Sequence, residues 1–147
     1  MKSVSLLVLA AALFAGAASA ALAPVPYDVT ITLSEKAAAE LTKTKETITV
    51  SATFVGQKKA PKADEDPEVM LGEETAELPG AGTVTLGKLG VSDEDVANTA
   101  NLQILINVFS SRKASEDNIL DCGIWQDDAA KAPAAKITID CKLIGEE

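Results

Sequence analysis

The chain contains no histidine, and this absence removes several classes of enzyme from consideration. Histidine is the commonest general base near neutral pH and a common ligand of zinc. A Ser–His–Asp triad or a Cys–His pair therefore cannot form in this chain. We expect a protein that is not an enzyme.

Aromatic residues and positive charge are also scarce. The 147 residues include one Trp, one Tyr and three Phe, and the formal net charge is -9. Such an acidic chain is repelled by nucleic acid and by anionic lipid, so we expect neither as a partner. Glycine-rich phosphate loops are absent, and we expect no cofactor. An electrostatic partner would be cationic.

Long apolar runs are missing everywhere except at the N-terminus. Lys2 precedes an apolar run over residues 4–15, and the run is followed by Ala18, Ser19 and Ala20. A short positive region, an apolar region and small residues predict a signal peptide over residues 1–20, cleaved after Ala20. The run is shorter than the about 20 apolar residues of a membrane-spanning helix. We expect a single domain over 21–147, periplasmic or secreted, with no membrane insertion after cleavage.

Two cysteines, Cys122 and Cys141, are the only ones present. In an exported protein an even pair usually forms a disulfide, and we predict one here. Strand-like segments over 118–125 and 136–144 would form an antiparallel hairpin around it. One register places apolar residues opposite each other on one face. Its pairs are Cys122 with Cys141, Leu120 with Leu143, and Ile124 with Ile139.

Several segments alternate polar and apolar residues with the period of two that indicates half-buried strands. The strand candidates outside the hairpin are 27–33, 47–55, 69–71, 75–78, 83–86 and 102–109. The last of these is apolar on both faces, which predicts a central strand. Short helices are predicted after Ser34 and after Ser92, where Ser92 and Asp95 form a capping-box pattern. About seven strands predict a single antiparallel β-sandwich.

The architecture expected from this strand count is of the immunoglobulin-like or transthyretin-like kind, with one or two short helices. The spacing of Cys122, Trp125 and Cys141 is not that of an immunoglobulin domain. The residues resemble no known family. One connection stays open, because residues 34–46 could carry a crossover helix between parallel strands or decorate a link between two sheets.

Two groups of residues are candidate sites. Asp121, Trp125 and Arg112 could line a surface for a ligand or a partner. Outward residues on a strand and basic residues in a hairpin loop are, however, common in proteins without such a surface. Four acids in a polar loop could bind Ca²⁺, which prefers oxygen ligands, although the loop lacks the ordered motif of a preformed site. These acids are Asp64, Glu65, Asp66 and Glu68.

The sequence thus predicts a non-enzymatic domain of the cell envelope that acts as a structural or protein-interaction module. Its partner would be another envelope protein, contacted through a surface or through an edge strand. The alternative is a module that binds a small ligand or Ca²⁺ through the acidic loop. The oligomeric state is not predicted.

Overall fold

A computed structural model describes residues 22–147 of the chain, so the predicted signal peptide lies outside the described residues. Within this range the chain forms eight strands, two α-helices and one 3₁₀ helix. In order, they are β1 (Tyr27–Leu33), α1 (Glu35–Thr44), β2 (Ile48–Lys58), β3 (Glu68–Leu78), β4 (Gly82–Leu86), α2 (Asp93–Asn98), β5 (Thr99–Ser110), β6 (Leu120–Cys122), β7 (Trp125–Asp128), the 3₁₀ helix (Ala129–Ala134) and β8 (Ile137–Leu143). None of the helices in this range has the length and apolar character of a membrane span.

The strands form two four-stranded sheets, which confirms the predicted β-sandwich. Sheet 1 has the order β4–β1–β8–β6, and sheet 2 has the order β3–β2–β5–β7. The predicted central strand is β5, and it does lie inside its sheet. The two weak strand candidates at 69–71 and 75–78 belong to one continuous strand, β3, at the edge of sheet 2.

One pair of strands departs from the antiparallel expectation. β1 and β8 are parallel neighbours, with Val29 opposite Ile137 and Ile31 opposite Ile139. The two strands are far apart in sequence, and the alternation within each strand carries no information about the direction of its neighbour. The other strand pairs in the described range are antiparallel.

The open connection after β1 is resolved by the sheet assignment. β1 lies in sheet 1 and β2 in sheet 2, so α1 decorates a link between the sheets. Ser34 caps this helix, because its Oγ accepts a hydrogen bond from the N–H of Ala37 at 3.1 Å. Ser92 caps α2 in the same way through the N–H of Asp95, which confirms the predicted helix start. The Asp95 carboxylate accepts from the Ser92 hydroxyl, so one half of the predicted capping box is present.

The core lies between the inward faces of the two sheets. Val29 and Ile31 of sheet 1 and Val50 and Ile106 of sheet 2 are at most 1% exposed. Burying each such side chain contributes about 1.5–3 kcal/mol to folding, before the cost in conformational entropy. The period-two pattern of these strands therefore specifies which face of each strand turns inward.

The predicted strand over 118–125 is wrong as a single element. It divides into β6, in sheet 1, and β7, in sheet 2, and the change of sheet occurs at Gly123 and Ile124. Ile124 is 64% exposed and does not pair with Ile139. Trp125 lies opposite Ile106 and packs against the core instead, and a Trp side chain offers more apolar area to bury than Ile.

The first part of the hairpin is confirmed. Leu120 lies opposite Leu143 and Cys122 lies opposite Cys141, as the hydrophobic register predicts. The two cysteines form a disulfide across this pair, with 4.1 Å between their Cα atoms. The bond ties β6, a three-residue edge strand, to the longer β8.

Candidate functional site

The outer face of sheet 1 is made of hydroxyl and charged side chains. Many of these groups bond to one another rather than remaining free. The hydroxyls of Thr30 and Thr83 lie 3.0 Å apart, and Thr85 donates to Asp28 at 2.6 Å. The outward residues on the paired strands are Asp28, Thr30, Thr32, Thr83, Thr85, Asp121, Thr138, Asp140 and Lys142. This face has the character of an ordinary solvated surface.

The outer face of sheet 2 differs because apolar side chains project from it. Val55 lies opposite Met70, and Leu105 and Phe109 project from β5 on the same side. Met70 is 67% exposed. A concavity of about 560 Å³ lies on this face, lined by Val55, Gly56, Gln57, Glu68, Val69, Met70, Asn101, Gln103, Leu105 and Gln126. We call it the amide groove.

Four carboxamide side chains form the uncharged polar part of the amide groove, whose lining also includes Glu68. They are joined in two pairs, since Asn101 Nδ2 donates to Gln57 Oε1 at 3.2 Å and Gln126 Nε2 donates to Gln103 Oε1 at 2.6 Å. Each pair uses only part of its hydrogen-bonding capacity, because a carboxamide has two donor hydrogens and two acceptor lone pairs. The groove therefore offers uncharged donors and acceptors beside an apolar floor.

Irregular strand pairing shapes this part of the sheet. The register of β2 with β3 shifts between Phe54 and Val55, and the register of β2 with β5 shifts between Val55 and Gln57. Such bulges bend a strand and increase its local twist. Both irregularities fall on residues of the amide groove, and Asn101 at its rim has a left-handed backbone with φ of 51°. The concavity is thus a consequence of the bent sheet.

Acidic side chains flank the amide groove. Glu68 and Glu73 of β3 are exposed on one side, and Asp128 of β7 is exposed on the other. Farther along β3, Glu77 pairs with Lys113, and this hydrogen bond holds the pKa of Glu77 below its ordinary value. The electrostatic field at the groove therefore favours a cationic partner.

The long edge of sheet 2 is partly covered. Glu74 of β3 accepts hydrogen bonds from the backbone N–H groups of Gly87, Lys88 and Leu89, at 3.0, 2.9 and 3.2 Å. Leu89 packs so closely that a Cβ at Gly72 would lie 2.8 Å from its Cδ2. The segment 87–89 therefore lies against β3 at Gly72 and Glu74, which hinders the addition of a partner strand at this part of the edge.

The structure does not bring Asp121 and Trp125 together on one face. Asp121 is exposed on the outer side of sheet 1, in register with Lys142. Trp125 is half-buried on the inner side of sheet 2. The alternation that placed both residues on one side of a single strand ends where β6 and β7 separate.

Arg112 lies in the loop after β5, which a buried carboxylate holds in place. Glu46 is 2% exposed and accepts backbone hydrogen bonds from Thr47, Lys113 and Ala114 at 3.0, 3.1 and 2.7 Å. Burial alone would raise the pKa of Glu46, but these backbone donors outweigh it and lower the pKa. Arg112 has a left-handed backbone with φ of 59°, and its side chain is exposed.

The four acids of the predicted calcium loop are exposed, with Asp64, Glu65 and Asp66 between β2 and β3 and Glu68 at the start of β3. Glu65 pairs with Lys58 at 2.7 Å, and this interaction lowers the pKa of Glu65. Asp66 accepts from the N–H of Glu68 at 2.9 Å. Across residues 22–147, no three His, Cys, Asp or Glu side chains are arranged to hold a metal ion. Asp64 and its neighbours therefore do not form a gathered ligand set.

Comparison of the chain with protein-family models, with curated proteins and with solved structures finds no match.

Sequence reasoning missed the amide groove, although one signal was present. Leu105 and Phe109 make β5 apolar on both faces, and this pattern predicted a strand inside a sheet. A strand can be central in its sheet and still have one face uncovered, which is the arrangement found here. The carboxamides at 57, 101, 103 and 126 come from three strands, so their spacing along the chain gives no motif.

Proposed function

We propose that this chain is an exported, non-enzymatic domain of the cell envelope that binds another protein through the amide groove on sheet 2. The observation that carries the proposal is the difference between the two outer faces. Sheet 1 presents mutually bonded hydroxyl and charged groups, whereas sheet 2 presents apolar side chains in a concavity edged with carboxamides. A concavity that combines apolar side chains with a few convergent polar groups is a candidate binding site on a folded domain.

The chemistry of the amide groove supports binding rather than catalysis. Carboxamides neither ionise nor act as nucleophiles near neutral pH, but they fix the orientation of a bound backbone by hydrogen bonds. Val55, Leu105 and Met70 supply the apolar contact, and the flexible Met side chain adapts to the shape of its partner. The sequence also lacks histidine, the usual general base.

A partner with a basic, partly apolar segment fits this surface best. Glu68, Glu73 and Asp128 surround the apolar floor with negative charge, and the whole chain is acidic. A Lys or Arg on the partner would reach these carboxylates, while an apolar side chain next to it would enter the groove. Binding to the face is favoured over addition to the β3 edge, because segment 87–89 is bonded to Glu74 near the middle of that edge.

Export to the periplasm or out of the cell is part of the same proposal. The signal-peptide pattern over residues 1–20 supports export. The Cys122–Cys141 disulfide also supports it, because structural disulfides persist in oxidising compartments.

A matched pair of surface variants tests the proposed face. Tagged protein would be cross-linked in the cells that produce it, purified, and its co-purifying proteins quantified. We expect Met70→Glu to lose a partner that wild-type protein recovers, since it places a charge on the apolar floor. Thr138→Glu adds the same charge to the outer face of sheet 1 and should keep that partner. Equal recovery by both variants would contradict the proposal.

A further inference from the structure

A second, smaller cavity lies inside the sandwich, on the other side of sheet 2 from the amide groove. It has a volume of about 140 Å³. Its floor consists of Tyr27, Phe54 and Ile104, which are 7%, 6% and 1% exposed. Phe54 points into this cavity, while the next residue, Val55, lines the amide groove. The two sites are therefore separate, and a ligand in this cavity does not depend on a partner in the amide groove.

The walls of the cavity are apolar. Leu22, Val25 and Leu89 line one side, and Ala129, Ala132 and Pro133 line the other. Among the described residues of the lining, the hydroxyl oxygen of Tyr27 is the only polar side-chain atom. Burial, with a further contribution from the Glu74 carboxylate, raises the pKa of Tyr27 to about 12, so this side chain is uncharged at neutral pH. An ordered water needs two to four polar partners, and the side chains of these walls offer one.

The segments around the cavity are firmly held. Leu22 and Val91 exchange two backbone hydrogen bonds, at 3.1 and 2.9 Å. A Cβ at Gly87 would lie 2.1 Å from the carbonyl oxygen of Val25, so this contact between two backbone segments requires glycine. The cavity is thus preformed, as small-molecule sites usually are.

The cavity also opens to solvent. Val25 is 44% exposed, and Ala23, Ala130 and Pro133 are exposed beside it. These residues form a mouth through which a small molecule can enter without rearrangement of the sheets. The small side chains of Ala129, Ala130 and Ala132 leave free the space that larger residues of the 3₁₀ helix would fill.

From these observations we infer that the cavity is a binding site for a small uncharged apolar molecule, of the size of a single six-membered ring. The volume sets the size, because an apolar cavity of about 150 Å³ is large enough for benzene. The apolar walls and the uncharged Tyr27 set the class, because a charged ligand would lose its hydration without gaining a partner.

Toluene and benzoate are suitable probes, because they share a ring and differ in charge. Toluene near saturation should raise the Tm of the purified full chain by about 3 °C or more, and benzoate at the same concentration should leave it unchanged. Absence of a shift with toluene, or an equal shift with benzoate, would overturn the inference.

Substitutions in the 3₁₀ helix locate the site. Ala132→Leu fills the cavity and should weaken toluene binding at least tenfold. Ala130→Leu narrows the mouth at an exposed position, so it provides the same test if Ala132→Leu does not fold. Ala134→Leu is the matched control, because Ala134 is exposed and outside the lining. Equal toluene affinity in all three variants would show that toluene binds elsewhere, and the inference would then be wrong.

Methyl NMR gives a readout that does not depend on stability. Titration with toluene should shift the methyl signals of Leu89 and Ile104, which line the cavity. The signals of Met70 and Leu105, which line the amide groove, should stay in place. Shifts confined to the amide groove would contradict the inference while leaving an apolar function for that groove intact.

Discussion

Replacement of Glu46 by Gln tests how the loop that carries Arg112 is held. The carboxylate is 2% exposed and accepts backbone hydrogen bonds from Thr47, Lys113 and Ala114. Gln has nearly the same shape, but it has no charge, and one of its two oxygens is replaced by an NH₂ group. At least one of these partly buried N–H groups would therefore face another donor.

The expected loss of stability is substantial. A hydrogen bond to a charged group contributes about 1.5–3 kcal/mol, and a buried donor left without a partner costs about 1–3 kcal/mol. Since Gln keeps one acceptor oxygen, we expect Glu46→Gln to lower the free energy of unfolding by about 3 kcal/mol at pH 7.

The stabilisation by Glu46 should depend on pH in a definite direction. The folded-state pKa of Glu46 lies below the ordinary value of 4.5. The ionised carboxylate therefore contributes its full stabilisation above pH 4.5, and this contribution is lost as the pH falls through the folded pKa. The difference in stability between wild type and Glu46→Gln should be constant from pH 7 to pH 5.5 and should shrink on further acidification.

Urea denaturation followed by circular dichroism at several pH values measures this difference. Glu40→Gln is the control, because Glu40 makes only a surface pair with Lys43 at 3.3 Å, and such pairs contribute little. A Glu46→Gln variant as stable as wild type at pH 7 would refute the reasoning. So would a loss of stability that is the same at pH 3 and pH 7.

Three further predictions concern the disulfide, Tyr27 and the predicted signal peptide. Replacing both Cys122 and Cys141 by Ser should cost about 3 kcal/mol, because the bond closes a loop with a sequence separation of 19; an unchanged urea midpoint would contradict this. Tyr27 is the only tyrosine, so ultraviolet titration should show one ionisation near pH 12, and stability should fall as the pH rises from 10 towards 12; a midpoint at pH 10 would contradict its burial. Intact-mass measurement of the protein from its own cells should give an N-terminus at Ala21, whereas an uncut Met1 would exclude cleavage.

Features encoded within single segments could be predicted from the sequence. The alternation in β1 specifies its inward face, and the pattern of Ser92 and Asp95 specifies the start of α2. The disulfide register could be predicted because Cys122 and Leu120 each have an apolar counterpart in β8. These features depend on neighbours in sequence or on one hairpin.

Features that depend on competition between distant segments could not be predicted. Ile124 continues the alternation of β6, yet the chain changes sheets there, and Trp125 packs beside Ile106 instead. Seven connections join consecutive strands from β1 to β8, and six of them cross from one sheet to the other. The parallel pairing of β1 with β8 depends on these crossings. Alternation within a strand does not specify its partner.

The candidate sites also depend on distant segments and could not be predicted from the sequence. The amide groove is built from β2, β3, β5 and β7, and it depends on two register shifts at Val55 that have no sequence signature. Asp121 and Trp125, which are close in sequence, lie on different sheets. The assembled geometry, rather than any motif, therefore defines the proposed surface.

Photo-cross-linking in living cells tests the proposed binding face most directly. A photoreactive amino acid at position 70 would lie on the amide groove, and the same group at position 138 would lie on the outer face of sheet 1. We predict that position 70 yields a discrete cross-linked protein and that position 138 does not. A cross-linked partner obtained only from position 138, or from neither position, would contradict the proposal that this domain binds a protein through the amide groove.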